Sequence, residues 1–470
     1  MHKHSELPAL RSVVRLEGGA DLEHITWFDI KFYPYTAPAE DPVFAVVGSR
    51  FIIICRCVQK PHSSIEVLCK FEDDPTVGNY NSIEWSQAEN GDPLVCVAGN
   101  FKVIKILNVI TKKPVTTLVG HGNAINDLAI SPVDPTILVS GSADHAIRLW
   151  SLDPAHAKQP TAAILYHKAQ VLTVAYHRKG RYLLSGGMDH RINMWTIPED
   201  LKDRPGTDKP AMVHYPHFST TEIHKGYIDC IRWYNDLILS SAAGDEQAIQ
   251  LWKIDNFNGE KAPPNPAPIP LATTVSGHVK VTVPTSEERL KSTRSAWGGR
   301  YQRLLQFKLP DHSSFYFRFS IFHQLGAHPV LVAGNEKSKV FFWDLQRLED
   351  AGTGNRYNDN GSKKSNLPQH LREGSTVSAS SNTSAASSNN PSAAPVRGHK
   401  SKKAINYGIS NPFHPVKWHK EQALNYFTAF RQFSWSNDGQ WCVGAAEFSM
   451  ICVFNRWQHG VPPPERGREG

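Results

Sequence analysis

The chain has 470 residues, of which 40% are hydrophobic and 20% charged, and its formal net charge is +7. The apolar content is enough for a large core, and a modest positive charge without a dense lysine and arginine stripe does not by itself indicate DNA binding. The N-terminus lacks the apolar core of a signal peptide, and no run of 18 apolar residues occurs. We therefore expect a soluble, intracellular protein without a membrane segment.

The seven cysteines are odd in number and lie mostly inside apolar stretches. This pattern is typical of buried thiols in a reducing compartment. No pair has the CxxC spacing of a zinc site, so neither a metal nor a cofactor is predicted.

Taken in chain order, the central elements repeat one phrase: a histidine, then an acidic residue, then a tryptophan six residues after the acid. The three clear copies are His121, Asp144 and Trp150; His167, Asp189 and Trp195; and His224, Glu246 and Trp252. Short strands rich in β-branched and aromatic residues, bounded by polar turns, surround each copy. A repeat of roughly 40 to 50 residues of this kind predicts an all-β, WD-repeat β-propeller.

Weaker copies of the strand–turn–strand unit raise the number of predicted blades to seven, with long loop insertions. A closed ring of blades removes the exposed sheet edges. We expect Leu10–Leu16, within an N-terminal segment 1–24, to close this ring as the outer strand of the last blade. The predicted propeller covers 25–457, with blades at about 25–57, 80–110, 121–153, 167–198, 224–255, 315–345 and 426–457.

Insertions interrupt the predicted ring. Residues 198–218 separate two blades, and 256–312 begins with a proline-rich run that we expect to be only partly ordered. Residues 351–403 are rich in serine and asparagine and too polar to pack, so we expect disorder there. A tail, 458–470, follows the last blade.

The repeated polar residues have a structural interpretation. In WD-repeat proteins a histidine, a serine, an acid and a tryptophan commonly form a hydrogen-bonded chain across the blade. Two sets fit this pattern: His121, Ser140, Asp144 and Trp150; and His167, Ser185, Asp189 and Trp195. A catalytic triad is normally single, whereas these sets recur. We therefore interpret them as structural and predict no catalytic residue.

Several phrases are more specific than a generic WD repeat. VGHGNAIND (119–127), LLSGGMDHRINMW (183–195) and HFSTTEIHKGYIDCIRW (217–233) resemble the Eed family of Polycomb repressive complex 2 subunits. Shorter phrases, including FYFRFS and FRQFSWSND, extend the resemblance to the other blades. The insertions lie outside it.

This resemblance implies a nuclear, non-catalytic protein. Members of the family bind the trimethyl-lysine of the histone H3 tail at one mouth of the channel. On the opposite face they hold an extended segment of the SET-domain methyltransferase, in a complex with a zinc-finger subunit of the Suz12 type. Occupation of the first site stimulates the enzyme. The resemblance implies neither a membrane association nor direct sequence-specific nucleic-acid binding.

The chemistry of the residues is compatible with that role. A trimethylammonium group has no N–H to donate, so its selection requires aromatic faces, each contributing about 0.5–2 kcal/mol. Residues at the start of the innermost strands stand at the channel mouth, and aromatic residues occur there. By resemblance the predicted cage is Phe28, Tyr80, Phe315 and Tyr316.

Two departures from the family pattern affect this cage. Phe315 replaces the cage tryptophan with a weaker cation–π face. Tyr80 lies five residues before Trp85 where the family spacing is four, so a strict alignment places Asn81 there; we favour Tyr80 and assume a one-residue bulge. Arg318 and Arg431 are the candidates for lining the peptide groove.

Two other functions remain open. A generic WD-repeat adaptor, such as a ubiquitin-ligase receptor or histone chaperone, would bind an unmodified peptide, but no F-box or equivalent docking helix is evident. A propeller enzyme would need a catalytic motif, and the sequence contains no phosphate loop, HExxH or GxSxG.

Overall fold

The computed structural model describes residues 6–16, 24–37, 40–60, 63–74, 76, 78–269, 292–352, 356–357, 363–364 and 411–456. Trp457, the predicted tail 458–470 and most of the predicted disordered insertion 351–403 lie outside the described residues. Within these ranges the predicted seven-bladed β-propeller is confirmed.

The first four blades begin with the strand that lines the channel and continue outward through antiparallel hairpins. Blade one contains Asp29–Phe32, Val43–Gly48, Phe51–Lys60 and Ser63–Glu72. Blade two contains Tyr80–Gln87, Pro93–Gly99, Val103–Asn108 and Lys113–Val119. Blade three contains Ile125–Ser131, Asp134–Ser142, Ala146–Ser151 and Thr161–Tyr166. Blade four contains Val171–Tyr176, Tyr182–Gly187, Ile192–Thr196 and Phe218–Thr220.

The remaining three blades draw their outer strands from distant parts of the chain. Blade five contains Tyr227–Tyr234, Leu237–Ala243, Ala248–Ile254 and Tyr301–Lys308. Blade six contains Ser320–Phe322, Val330–Gly334, Lys339–Asp344 and Lys420–Ala423. Blade seven contains Phe430–Trp435, Trp441–Ala446 and Met450–Asn455, and its outer strand is Ala9–Arg15.

The N-terminal strand Ala9–Arg15 therefore closes the ring. It pairs antiparallel with Met450–Asn455, so that Ala9 lies opposite Asn455 and Arg15 opposite Met450. This is the position that the sequence predicts for Leu10–Leu16, shifted by one residue. The closure joins the two ends of the propeller through backbone hydrogen bonds and removes an exposed sheet edge.

The insertions contribute to the sheets more than the sequence predicts. Ala211–Val213 pairs in parallel with the outer strand of blade three, and Arg294–Ser295 extends blade four. The range 256–312 is predicted as an insertion, yet it supplies the outer strand of blade five, Tyr301–Lys308. An α-helix, Leu345–Gly352, directly follows the third strand of blade six. Two-residue strands Arg356–Tyr357 and Lys363–Lys364 pair with each other, and 3-10 turns form at Pro154–His156 and Leu201–Asp203.

The predicted polar sets are hydrogen-bonded chains within their blades. In blade three, His121 Nδ1 lies 2.8 Å from Asp144 and its Nε2 lies 2.7 Å from Ser140 Oγ, which also accepts the Trp150 indole N–H at 2.8 Å. Burial raises the pKa of Asp144, but the hydrogen bonds and charge of His121, with nearby backbone amides, outweigh it and lower that pKa. Blade four repeats the arrangement with His167, Ser185, Asp189 and Trp195.

Blade five carries a third chain with a substituted acid. His224 lies 2.5 Å from Glu246 and 2.7 Å from Ser240, which accepts from Trp252 at 3.0 Å. Because the polar atoms of all three sets satisfy one another inside the blades, these sets stabilise the fold.

The apolar core lies between neighbouring blades. Strand residues of blade one, such as Val47 and Ile54, pack with Trp85 of blade two, and equivalent clusters fill the other junctions. Carboxylates pin the inner strands together: Asp29 accepts the amide of Ile83 at 2.9 Å. Asp127 accepts that of Val174 at 2.9 Å. The inner strands are therefore held at fixed spacing around the channel.

Candidate functional site

A pair of aromatic rings stands at one mouth of the channel, where the inner strands begin. Phe28 immediately precedes the inner strand of blade one and donates its amide to Val47 at 2.9 Å. Its ring centre lies 5.9 Å from that of Tyr316, with the planes inclined at 73°. Both side chains are half-buried, whereas the neighbouring Trp27 is fully buried in the core. The structure thus brings together two of the four predicted cage residues.

Tyr316 is fixed by its backbone and its hydroxyl. Its φ is 61°, in the left-handed region that non-glycine residues rarely adopt, and such strained residues cluster at functional sites. The hydroxyl donates to Asn126 Oδ1 at 3.0 Å. Burial raises the pKa of Tyr316, so the phenol stays neutral and its ring retains a polar edge and an apolar face.

Phe315 lies next to this pair but has a different ring partner. It stacks on Tyr227, the first residue of the inner strand of blade five, with ring centres 5.8 Å apart and planes at 19°. Tyr227 is 39% exposed. Sequence reasoning missed Tyr227, although the same rule that selected Phe28, a residue at the start of an innermost strand, would have selected it.

The prediction for Tyr80 is wrong. Its side chain is only 1% exposed, its ring packs 5.2 Å from Phe101, and its hydroxyl donates to Asp73 at 2.5 Å. Tyr80 is therefore part of the core between blades one and two. Asn81 lies near the Tyr316 hydroxyl instead, and its amide side chain partly offsets the rise in the pKa of that phenol.

A recurrent β-bulge explains this register. The pairing of the inner strand with its neighbour shifts between Tyr80 and Ser82, and equivalent shifts occur at the start of the inner strands of blades three, four, five and seven. A bulge leaves one residue unpaired and re-aims its side chain. The bulged residues include Asn81, Asn126 and Arg431, and each of these three lies against the aromatic pair.

Arg318 does not line a groove, which corrects the second part of the site prediction. It is 3% exposed, and its guanidinium donates to Asp127 at 2.7 Å and to the carbonyls of Asn126 and Leu172 at 3.0 Å each. Burial opposes its charge, but Asp127 and Asp229 outweigh this and raise the pKa of Arg318. The residue is a buried cation that joins inner strands across the channel.

Arg431, the other predicted candidate for lining the peptide groove, lies beside the aromatic pair. Its guanidinium carbon is 5.8 Å from the ring centre of Phe28 and 4.6 Å from that of Phe317. It donates to the carbonyl of Phe315 at 2.9 Å and pairs with Glu447. Arg431 thus supports the backbone that carries Phe315 and Tyr316.

The opposite mouth of the channel is lined by charged and polar side chains as well as by aromatic ones. The C-terminal halves of the seven inner strands surround a cavity of about 460 Å³ there, whose lining includes Lys31, Arg232, Tyr176, Trp233 and Phe433. Lys31 is held by Glu84 at 2.7 Å. The two faces of the ring therefore differ in chemistry: aromatic rings border one mouth, and charged and aromatic side chains line the other.

The described part of the chain contains no cluster of three or more histidine, cysteine or acidic side chains suited to a metal ion. All seven cysteines are buried and free. Over the same residues, no helix is long and apolar enough to span a bilayer.

Comparison with known proteins relates this geometry to a family. The WD domain, G-beta repeat model matches residues 112–151 and 159–196. Polycomb protein EED of Chaetomium thermophilum is 40% identical over 341 residues, which cover 71% of this chain and 59% of that protein. The Drosophila melanogaster Polycomb protein esc is 27% identical over 343 residues, covering 69% of this chain and 71% of that protein.

Solved structures extend the similarity to the whole ring. A chain of the Chaetomium thermophilum polycomb repressive complex 2 crystal structure superposes with a TM-score of 0.78 at 32% identity, covering 98% of this chain and 99% of that one. A chain of ctPRC2 in complex with H3K27me3 and H3K27M gives 0.77 at 32%, covering 96% and 98%. With its seven blades, its aromatic channel mouth and these similarities, the chain belongs to the Polycomb EED family of WD-repeat propellers.

Proposed function

We propose that this protein is a non-catalytic histone-mark reader and scaffold of a Polycomb-type histone H3 lysine methyltransferase complex, and that it acts in the nucleus. One channel mouth binds the trimethyl-lysine of the H3 tail. The other face holds the SET-domain catalytic subunit, and a zinc-finger subunit of the Suz12 type completes the assembly. Binding of the mark stimulates the catalytic subunit allosterically.

The observation that carries this proposal is the half-buried pair of Phe28 and Tyr316 at the channel mouth. Trimethylammonium cannot donate a hydrogen bond, so a carboxylate or amide cannot distinguish it from solvent cations by directed bonds. Aromatic quadrupoles attract it through their faces, at about 0.5–2 kcal/mol for each favourable contact. The proposed cage consists of Phe28, Phe315 and Tyr316, with Tyr227 beside Phe315 and Asn81 in place of a fourth ring.

The assembly proposal has support from the opposite mouth and from the relatives. A rigid face with a cavity of about 460 Å³ suits an extended segment that becomes ordered when it binds. Chains with the same fold occur in solved polycomb repressive complex 2 structures, one of them solved with H3K27me3.

The test is a titration of the full-length protein with unmodified, monomethylated and trimethylated H3 tail peptides. We expect the dissociation constant to fall with each added methyl group, since methylation removes N–H groups and enlarges the cation. Equal binding of the three peptides would contradict the reader function and favour the adaptor that binds an unmodified peptide.

A second measurement tests the scaffold function. Calorimetry with the N-terminal segment of the purified catalytic subunit should give saturable binding that the trimethylated peptide does not displace, because the two ligands occupy opposite faces. Competition between them, or no binding of the segment, would contradict the proposed assembly.

A further inference from the structure

Three exposed aromatic residues lie on the same face as the aromatic mouth, at the junction of blades six and seven. Tyr426 and Phe427 precede the inner strand of blade seven, and Phe448 lies in the hairpin between the second and third strands of that blade. Their exposed fractions are 54%, 76% and 40%. We call these three residues the blade-seven patch. Neighbouring apolar groups left open to solvent indicate a contact site, whereas single exposed residues do not.

Hydrogen bonds hold the two segments of the patch together. Thr428 Oγ1 donates to the carbonyl of Glu447 at 3.2 Å, and the amide of Glu447 donates to the carbonyl of Ala429 at 3.1 Å. Phe427 directly precedes Thr428, and Phe448 directly follows Glu447. The loop and the hairpin are therefore fixed to each other at the positions that carry the aromatic side chains.

The turn that carries Phe448 has a backbone conformation that an aromatic residue rarely adopts. The amide of Met450 donates to the carbonyl of Glu447 at 3.3 Å, and φ is 56° at Phe448 and 61° at Ser449. Turns with two positive φ angles favour asparagine and glycine. Strained residues of this kind cluster where ligands bind. Because the Phe448 side chain is 40% exposed, packing within the protein offsets little of this strain.

The patch is continuous with the proposed cage. Trp27, the residue before Phe28, donates its amide to the carbonyl of Ala446 at 3.2 Å. Ala446 is two residues from Phe448, and two extended residues span about 7 Å. The patch and Phe28 are therefore on the order of 10 Å apart, about three residues of an extended peptide.

The polar groups beside the patch are already engaged within the protein. The carboxylate of Glu447 pairs with Arg431. The hydroxyls of Ser338 and Thr428 donate to backbone carbonyls at 3.1 and 3.2 Å. A basic side chain would therefore find this carboxylate occupied, whereas an aliphatic or proline side chain can pack on the aromatic faces without a polar partner.

We propose that the blade-seven patch binds an apolar side chain of the peptide whose trimethyl-lysine occupies the cage, about three residues away from that lysine. This inference rests on the proposed reader function and adds a second specificity site to it. The cage selects the modification, and the patch selects the sequence beside it.

The experiment measures dissociation constants of the full-length protein for a set of trimethyl-lysine peptides. Each peptide carries one leucine in a polar background of constant charge, placed in turn at every position within about five residues of the trimethyl-lysine. We expect leucine at one position, about three residues away on one side, to tighten binding about fivefold relative to the peptide without leucine, or about 1 kcal/mol. Leucine at the other positions should have little effect.

Two variants remove the patch. Phe427→Ser and Phe448→Asn should each abolish the gain from leucine, while the preference for the trimethylated over the unmodified peptide persists. Asparagine suits a turn with positive φ, so the melting temperature of Phe448→Asn should be unchanged or higher.

The matched control removes an exposed apolar side chain from the other face. Leu325 is 96% exposed in the hairpin that follows the inner strand of blade six. Leu325→Ser should bind every peptide as the wild type does.

The outcomes separate the two proposals. If the wild type prefers trimethyl-lysine but leucine adds no affinity at any position, or if both patch variants keep the gain, the apolar site is wrong and the reader function stands. A lower melting temperature of Phe448→Asn would assign that ring to the fold and also overturn the site. If the patch variants bind all peptides normally but lose affinity for the catalytic subunit, the patch serves the assembly instead. Absence of a trimethyl preference in the wild type contradicts the reader function itself.

Discussion

Blades three to five and the channel mouth use polar and aromatic residues in opposite ways. In blades three to five, each histidine is bonded on both ring nitrogens and each serine accepts an indole N–H, so no group remains for a ligand. At the mouth, Phe28, Phe315, Tyr316 and Tyr227 leave part of their rings exposed. These aromatics come from blades one, five and six, and two of those blades match the repeat only weakly.

The difference indicates which residues of a repeat protein can take part in ligand binding. A residue that recurs at the same position of several blades meets the same structural need each time, and its energetic role is local. A residue that departs from the repeat is free to serve one mouth of the channel. Substitution of one of the recurring residues, which we call the structural group, should change stability and leave ligand preference intact. Substitution of a residue that departs from the repeat at the channel mouth should change ligand preference and leave stability nearly unchanged.

Arg318→Ala should give the largest effect on stability, because Arg318 is adjacent to the site in sequence and lies outside the repeat, yet is a buried cation that joins inner strands. Removal of the guanidinium leaves Asp127 buried without its ion-pair partner, and breaking such a pair costs about 3–5 kcal/mol of unfolding free energy. Urea denaturation measures this loss. Lys337→Ala, which breaks an exposed pair with Asp311, should cost less than about 1 kcal/mol. If the Arg318→Ala variant kept wild-type stability but bound the peptide more weakly, the predicted role of Arg318 in lining the groove would be supported instead.

Ser140→Ala should also destabilise the fold, by about 2–3 kcal/mol. The substitution leaves both His121 Nε2 and the Trp150 indole N–H buried without a partner. Thr117→Ala removes a hydroxyl from an exposed position on the outer strand of blade two and should change the denaturation midpoint little. A Ser140→Ala variant that keeps its stability but loses the trimethyl-lysine preference would contradict the structural interpretation of the polar sets.

Phe28→Ala and Tyr316→Ala should weaken binding of the trimethylated peptide by roughly five- to thirtyfold, the equivalent of about 1–2 kcal/mol. Because both rings are half-buried, the melting temperature should change much less than in the Arg318 variant. Tyr80→Phe is the matched control: its hydroxyl binds Asp73 in the core, so peptide binding should not change. Phe315→Trp, which enlarges the aromatic face, should hold or tighten binding. Unfolding of Tyr316→Ala would place that ring in the structural group.

The sequence predicts the fold well because the repeated spacing of residues reflects the pairing of strands within one blade. The position of the acid six residues before tryptophan follows from the hairpin between the second and third strands, and each hydrogen-bonded set lies within a single blade. The outer strands of blades five and six were harder to predict. Tyr301–Lys308 and Lys420–Ala423 lie far along the chain from the strands with which they pair, and no repeat spacing indicates them.

The site depends on contacts between blades, which the repeat does not record. Tyr80 and Asn81 are neighbours in sequence, and the bulge alone determines which of them lies near the Tyr316 hydroxyl. Likewise, the role of Arg318 depends on Asp127, a residue 191 positions away on another blade. Alignment of the inner strands with one another would have revealed the bulge, since Asn81 and Asn126 occupy equivalent positions.

The pH dependence of stability should include a contribution from His419 in blade six. Burial lowers the pKa of His419 to about 4, and its Nδ1 accepts the amide of Asp344 at 3.0 Å, which requires a neutral ring. Since the native state then binds fewer protons than the unfolded state, stability should fall as the pH decreases from about 6.5 towards 4. His419→Gln keeps an acceptor without a titration, so its denaturation midpoint should fall less over this range. His414→Gln, at an exposed position, should retain the wild-type slope.

Asn81→Tyr should produce the smallest effect and the sharpest test of the bulge. Asn81 lies near the hydroxyl of Tyr316 and supplies an amide where a fourth ring would complete the proposed cage. A tyrosine there adds one aromatic face at a partly exposed site, and we expect binding of the trimethylated peptide to tighten about two- to fivefold. Asn81→Leu provides similar apolar area without a quadrupole and should give no preference for the trimethylated over the unmodified peptide beyond that of the wild type. If the tyrosine and leucine variants gained equal affinity for the trimethylated peptide, the side chain at position 81 would face the core, and the bulge would not present it to the ligand.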